Sequence, residues 1–332
     1  MSPQWTTFKD STTYFGTTYV PKQISDYISY GTNSNAFFGA GKLFSDSNYY
    51  YVSYSYPGTY LSDFTALKSI VADILVVGGG GGGPQVNSVQ AGGTLYSAPA
   101  NGGGGAGEAR LFQNQILNGQ YPIIVGSGGT LSDGVTLPTV GGYSQFGNLG
   151  LVTGGGSGGT PTANASATIF NAAGGGGGTG TGFTTAGSGA ASFYSAGAGR
   201  STTTAAGGGG AGLGGNGTAA ANGVGGGGGI GISTYSSWLQ AIFYNNDPTN
   251  APYYICSGGA GTILLSGASA AAYTASFTAH QANYATSYPS NTSSSPIPIG
   301  SGATAAVVNK FSNPTAGGGL VVIRIAKSQI IP

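Results

Sequence analysis

The stretch from Ala72 to Gly83 reads Ala-Asp-Ile-Leu-Val-Val and then six consecutive glycines, so an apolar strand runs straight into a segment without side chains. The β-branched, apolar Ile74 to Val77 has the composition of a short buried strand. Gly78 to Gly83 can bury nothing, and each glycine loses more backbone freedom on ordering than any other residue. Something other than side-chain packing must hold them. Similar runs recur at Gly102 to Gly105, Gly154 to Gly156, Gly174 to Gly178, Gly207 to Gly210, Gly225 to Gly229 and Gly317 to Gly319, an internal repeat without a fixed period.

Such a bias in a chain with only 5% charged residues would ordinarily read as low-complexity disorder. The 21 Tyr, 14 Phe and 2 Trp argue against it, because disordered chains are rich in charge and poor in aromatics. The region from Gly78 to Gly229 holds 52 of the 67 glycines. Ordering them costs roughly 50 to 100 kcal/mol at ~1–2 kcal/mol per residue. Polyglycine offers one way to offset that cost: a threefold extended helix whose N–H and C=O groups all point sideways. Packed side by side, such helices satisfy one another, and the missing Cβ permits close approach with Cα–H···O contacts.

The expected fold is therefore mainly β and irregular with almost no α-helix. Residues 1–70 form an aromatic-rich β module for assembly or attachment, with ten Tyr between Tyr14 and Tyr60. Residues 71–332 form a bundle of polyglycine-II helices closed by short strands. Gly78, Gly80, Gly83, Gly103, Gly155, Gly176, Gly208, Gly227 and Gly318 stand for its structural runs. Gly107 to Phe112 and Asn118 to Gly126 read as a hairpin, and Leu320 to Ile325 as a strand that pairs with Ile74 to Val77. Loops are expected at 84–101, 160–173, 230–257 and 262–316.

The net charge of +1 lacks any basic patch, and Arg200 is the only charged side chain between Gly134 and Asn246. Electrostatic capture of nucleic acid or of an acidic membrane is therefore not expected. The single Cys256 excludes an internal disulfide, and the first residues lack the basic and apolar regions of a secretory signal. The expectation is a protein made in a host cytoplasm. Gly78-x-Gly80-x-x-Gly83 formally matches a dinucleotide fingerprint, but the acidic residue needed about 20 positions later is missing. Cys256 and His280 offer neither an orienting group nor enough metal ligands. No enzyme activity, cofactor or metal is expected.

The ordered set Asp73-Ile-Leu-Val-Val with its glycine run, Gly102 to Ala109, Asn118 to Gly126, Gly141-Gly-Tyr-Ser-Gln-Phe-Gly147 and the terminal Gly-Gly-Gly-Leu-Val-Val-Ile-Arg324 resembles the glycine-rich domain of phage tail-fibre and adhesin proteins. The resemblance spans about residues 50–326. It implies polyglycine-II bundles whose apical loops contact the host surface. A virion tail fibre or tip adhesin follows, carried in several copies by tail, baseplate or capsid proteins and binding a surface glycan or an outer-membrane protein. The alternatives are a purely structural fibre, capsid or baseplate decoration, or a cellular glycine-rich surface-fibre protein.

Candidate receptor residues are those mixing amphipathic rings with amides and one carboxylate: Trp238, Phe243, Tyr244, Asp247, Tyr253 and Tyr254, with Tyr273 and Tyr284 further on. Flat rings beside amides suit stacking on sugars. The competing reading places Trp238 and Phe243 in a local core beneath a long loop.

Overall fold

The computed structural model describes residues 23–31, 41–55, 58–83 (side chains from Phe64), 102–130, 138–159, 207–221, 225–243, 253–259, 261, 299–303 and 316–330, together with the backbone of short strands at 13–14, 17–18, 85–86, 90–91, 94–95 and 306–307. Gly176 and most of the expected loops 84–101, 160–173 and 262–316 lie outside the described residues.

The chain is mainly β, with one α-helix among the described residues. Its principal sheet contains β1 (Ile28–Tyr30), β2 (Lys42–Ser45), β3 (Tyr49–Tyr54), β4 (Gly58–Val77), β5 (Ala109–Val125), β6 (Gln145–Phe146) and β7 (Leu320–Ala326). The order is β6-β5-β4-β7-β3-β2, with every pairing antiparallel. β1 lies against β4 at Phe64 to Ala66, on the edge that β7 occupies further along. The expected pairing of the two apolar strands is present, with Leu320 opposite Val77 and Ile323 opposite Ile74.

Both faces of this sheet are covered, which explains why its central strands read as continuous apolar runs rather than alternating ones. Ile74, Val76, Val321, Ile323, Val52 and Tyr54 face one core cluster, while Leu75, Val77, Leu320, Val322 and Tyr51 face another. The break expected at residue 70 falls inside β4, and β3 pairs directly with carboxy-terminal β7. Strands β1 to β3, among them tyrosine-rich β3, are thus built into the sheet that carries the glycine region.

The expected hairpin within 107–126 is replaced by a single long strand, β5, whose partner is β4. Asn118-Gly119 looks like a turn, but Gly119 at φ 93° sits at one of the irregularities in the β4–β5 ladder. Another lies between Phe112 and Gln115, where Asn114 takes φ 52° and donates its N–H to Asp73 Oδ1 at 2.9 Å. Bulges bend strands, and here the β4–β5 ladder folds back on itself. Val125 pairs with Gly58, far from Val77 in sequence, yet Gly126 N–H donates to Ser144 Oγ, which donates to Val77 O. Between the folded halves lie Phe64, Ile70, Leu117, Ile123 and Phe146, with the Phe64 and Phe146 rings edge to face at 5.9 Å.

Four of the described runs are continuations of strands of the sheet. Gly78 follows β4, Glu108 precedes β5, Gly126 follows it and Gly319 precedes β7. The ladder between β4 and β5 ends at the pair Val77 and Ala109, after which the bonds recur every third residue. Gly78 and Gly81 donate to Glu108 and Gly105, Gly79 and Gly82 to Gly142 and Thr139, and Gly80 to Gly317. Gly79, Gly80, Gly81 and Gly82 in turn accept from Gly155, Gly129, Ala303 and Gly158. The run 78–82 therefore has six neighbours, three that it bonds as donor and three as acceptor. A period of three is that of an extended polyglycine helix, and six neighbours are what close-packed parallel rods possess.

The absence of Cβ is required by proximity, not by backbone conformation. None of Gly78 to Gly82 has positive φ. A Cβ on Gly80 would stand 1.9 Å from Ser301 O, one on Gly79 2.0 Å from Ser127 O, and one on Gly81 1.9 Å from Gly156 O. Contacts under 3.0 Å with backbone cannot be relieved by rotating a side chain.

Candidate functional site

The hydrogen-bond registers fix the direction of each run. Segments 78–83, 126–130, 153–159, 214–218, 255–261 and 299–303 lead away from the sheet, and 102–108, 138–142, 207–213, 225–231 and 316–319 lead back toward it. The bundle consequently has a sheet end and a distal end. At the distal end the outgoing runs stop at 83, 130, 159, 218, 261 and 303 and the returning ones begin at 102, 138, 207, 225 and 316, so the connections 84–101, 131–137, 160–206, 219–224 and 304–315 join run ends that lie there, and 262–298 follow Gly261. Among these connections the charged side chains are Asp133, Arg200 and Lys310, with His280 the lone histidine.

Trp238, Phe243, Tyr253 and Tyr254 lie at the sheet end instead. Helix α1 (Ser236–Phe243) stands where a loop was expected. Trp238, Leu239, Ala241 and Ile242 recur at helical spacing and all four are buried. That periodicity, following Ser233 whose carbonyl accepts the Ser236 N–H, is the signal that marks the helix. Ser236 Oγ also accepts the Tyr253 N–H at 2.9 Å, fixing the helix to the strand-like segment 253–259.

Trp238 is 4% exposed and Tyr253 1%, so neither offers a face to a ligand; the local-core reading describes Trp238 but not Phe243. Trp238 meets Tyr51 edge to face at 6.0 Å, and the Arg324 guanidinium lies 4.3 Å from its ring and 4.4 Å from that of Tyr49. Arg324 also pairs with Asp73 Oδ2 at 2.6 Å, so one side chain ties helix, sheet and carboxylate together. Such cation–π contacts strengthen as water is excluded. Of the expected receptor residues, Phe243 at 39% and half-buried Tyr254 reach the surface; Tyr244, Asp247, Tyr273 and Tyr284 lie outside the described residues.

Two further polar clusters serve the frame. Glu108, buried at the junction of run and strand, receives two hydrogen bonds from Arg110 and both the N–H and the hydroxyl of Thr153. It locks the start of 153–159 to the end of 102–108. At the β2–β3 turn, Asp46 Oδ1 accepts the Asn48 and Tyr49 N–H groups at 2.7 Å each, and Oδ2 accepts the Tyr51 hydroxyl at 2.6 Å. Burial pushes the Asp46 carboxyl up, but these bonds and the Lys327 charge outweigh it and hold the carboxyl below its ordinary range. Burial, then the Asp46 bond, pushes the Tyr51 hydroxyl up.

Cys256 is fully buried at the sheet end of the bundle, its thiol pushed up by burial and then by Glu108. A buried thiol held protonated is a poor nucleophile, and His280 lies outside the described residues. Among the described residues no group of three or more His, Cys, Asp and Glu side chains is placed to hold a metal. No helix among them is long and apolar enough to cross a membrane.

Comparison with known protein-family models and with curated proteins returned no match. The geometry of the two ends is therefore the basis for assigning a role.

Proposed function

We propose that this chain is a structural protein of a virion, of the tip-adhesin kind, whose glycine bundle holds the distal connections out toward a receptor on the host surface. The observation that supports this reading is the polarity of the bundle: connections close at the distal end, while the opposite end is occupied by the sheet and helix α1. A bundle of main chains that clash with any added Cβ is a stiff mount. Stiffly mounted connections lose little entropy on binding, and many copies on one particle turn weak sites into avidity. Few charges there direct the choice toward a neutral glycan or protein surface rather than nucleic acid.

The sheet end is the side turned toward the carrier, which shifts the attachment role from a separate 1–70 module to the strands β1 to β3 and what lies beside them. The test is competition: the purified chain is added to host cells before the particle. Reduced adsorption that is lost when 84–101 is replaced by a short glycine-serine linker supports the reading. If the purified chain does not compete, a decoration protein without receptor contact is the better description.

A further inference from the structure

Two of the distal connections are closed in the same way, ten residues end to end. At the first, Thr139 donates its N–H to Thr130 O at 3.3 Å while its Oγ1 accepts the Thr130 N–H at 2.8 Å. At the second, Thr218 donates its N–H to Gly227 O at 2.9 Å while its Oγ1 accepts the Gly227 N–H at 2.7 Å. An ordinary antiparallel pair exchanges two N–H···O=C bonds. Here a threonine hydroxyl takes the place of one carbonyl in both closures.

The substitution frees the threonine's own carbonyl, and in both cases a neighbouring run uses it. Thr139 O accepts the Gly82 N–H at 2.9 Å, and Thr218 O accepts the Gly209 N–H at 3.1 Å. One residue thus closes the connection with its side chain and serves the bundle with its main chain. The threonine sits on the returning run in the first closure and on the outgoing run in the second, so the arrangement is set by the local bonding and not by chain direction.

We propose that Thr139 and Thr218 are clasps that insulate the bundle from the connections they close, so that residues 131–137 and 219–224 can be replaced without loss of the fold. An insulated connection is free to vary in sequence, which is what a displayed segment requires. The inference concerns folding and is tested without reference to any receptor.

The experiment replaces 131–137 and, separately, 219–224 with glycine-serine linkers of equal length in the full chain, and compares them with Thr139→Val, Thr218→Val and the corresponding Ser variants. The linker variants are expected to melt within about 1 °C of the parent, less than the roughly 1–2 °C that ~1 kcal/mol produces in a chain of this size. The Val variants, isosteric but without the hydroxyl, are expected to speed amide exchange at Gly82 and Gly209 on the order of tenfold, and the Ser variants to restore it. Linkers that lower the melting point as much as Val does, or Ser and Val variants that exchange alike, would overturn the proposal. Should a Val variant not fold, the linker and Ser arms decide by themselves.

Discussion

The sheet and the glycine bundle share four continuous stretches of chain and are stabilised by opposite means. In the sheet, Ile74 and Val76 fill the space beside Val321 and Ile323, so each Cβ and what it carries is the source of stability. Three residues later along the same chain, the carbonyls of Thr153, Ser127 and Ser301 come to within about 2 Å of where a Cβ would be. There the bonding is backbone to backbone on every side, and any side chain is an obstruction. A region without side chains is as specifically packed as one full of them, provided that neighbouring main chains are delivered in register; the strands β4, β5 and β7 do that.

The most severe way to test the contrast is Gly80→Ala. The added methyl would force the run away from 299–303 and orphan the bonds between Gly80 N–H and Gly317 O and between Gly129 N–H and Gly80 O. At about 1–3 kcal/mol for each buried group left unpaired, plus the loosening of the other neighbours, the loss is expected to be roughly 5 kcal/mol or more. The variant should be insoluble or unfolded; a soluble protein with the parent's melting curve would refute the close-packed bundle.

Trp238→Ala addresses the sheet end. Removing a buried Trp typically costs about 3–5 kcal/mol, and here it also strips Arg324 of one ring face. The expected outcome is a lowered melting point with adsorption competition unchanged at temperatures where the variant is folded. Lost competition with an unchanged melting curve would instead make Trp238 a contact residue.

A glycine in the sheet should behave differently from one in the bundle. No described residue comes within 4 Å of where a Cβ on Gly119 would stand, so Gly119→Ala meets only the strain of φ 93°. That is worth about 1–2 kcal/mol, measured as a modest shift in denaturant midpoint. A loss comparable to that of Gly80→Ala would show that glycine matters for the same reason in both places.

The smallest effect is set by pH. The lowered Asp46 carboxyl contributes stability that is present above its unfolded value and is lost as pH falls through its folded value, so acid should loosen the β2–β3 turn first. The raised Tyr51, Tyr235 and Cys256 groups act at the other limit. Their contribution is intact below their ordinary values, 10.0 for the tyrosines and 9.0 for the thiol, and declines as pH rises beyond them. Melting points measured from pH 3 to 11 should fall at both ends, and Asp46→Asn should flatten the acid side and, because the Asp46 carboxylate helps to raise the Tyr51 hydroxyl, part of the alkaline side as well.

Ile74 to Val77 and Leu320 to Ile325 announce their pairing through β-branched, apolar composition, and the glycine runs announce close approach through the lack of anything else to offer. Gly107 to Phe112 and Asn118 to Gly126 read as two strands of a hairpin because nothing local shows that both take β4 as their partner, in a ladder that continues between them through its irregularities. Whether Trp238 serves a ligand or a core is not legible locally, because its partners Tyr51 and Arg324 are remote in sequence. The clasps at Thr139 and Thr218 left no signal, since a hydroxyl that replaces a carbonyl is recognisable only once the partner N–H is in place.

By itself the sequence determined that glycine runs alternate with apolar strands, that charge is too sparse to guide binding, and that the glycines must satisfy one another. Those properties depend only on what each residue carries. Which run lies beside which could not be written in glycine, because identical units without side chains have no preferred partner or register. The tertiary structure made that choice by extending Gly78 from β4, Glu108 into β5, Gly126 from β5 and Gly319 into β7. Strands whose side chains do specify a register thereby position runs that have none.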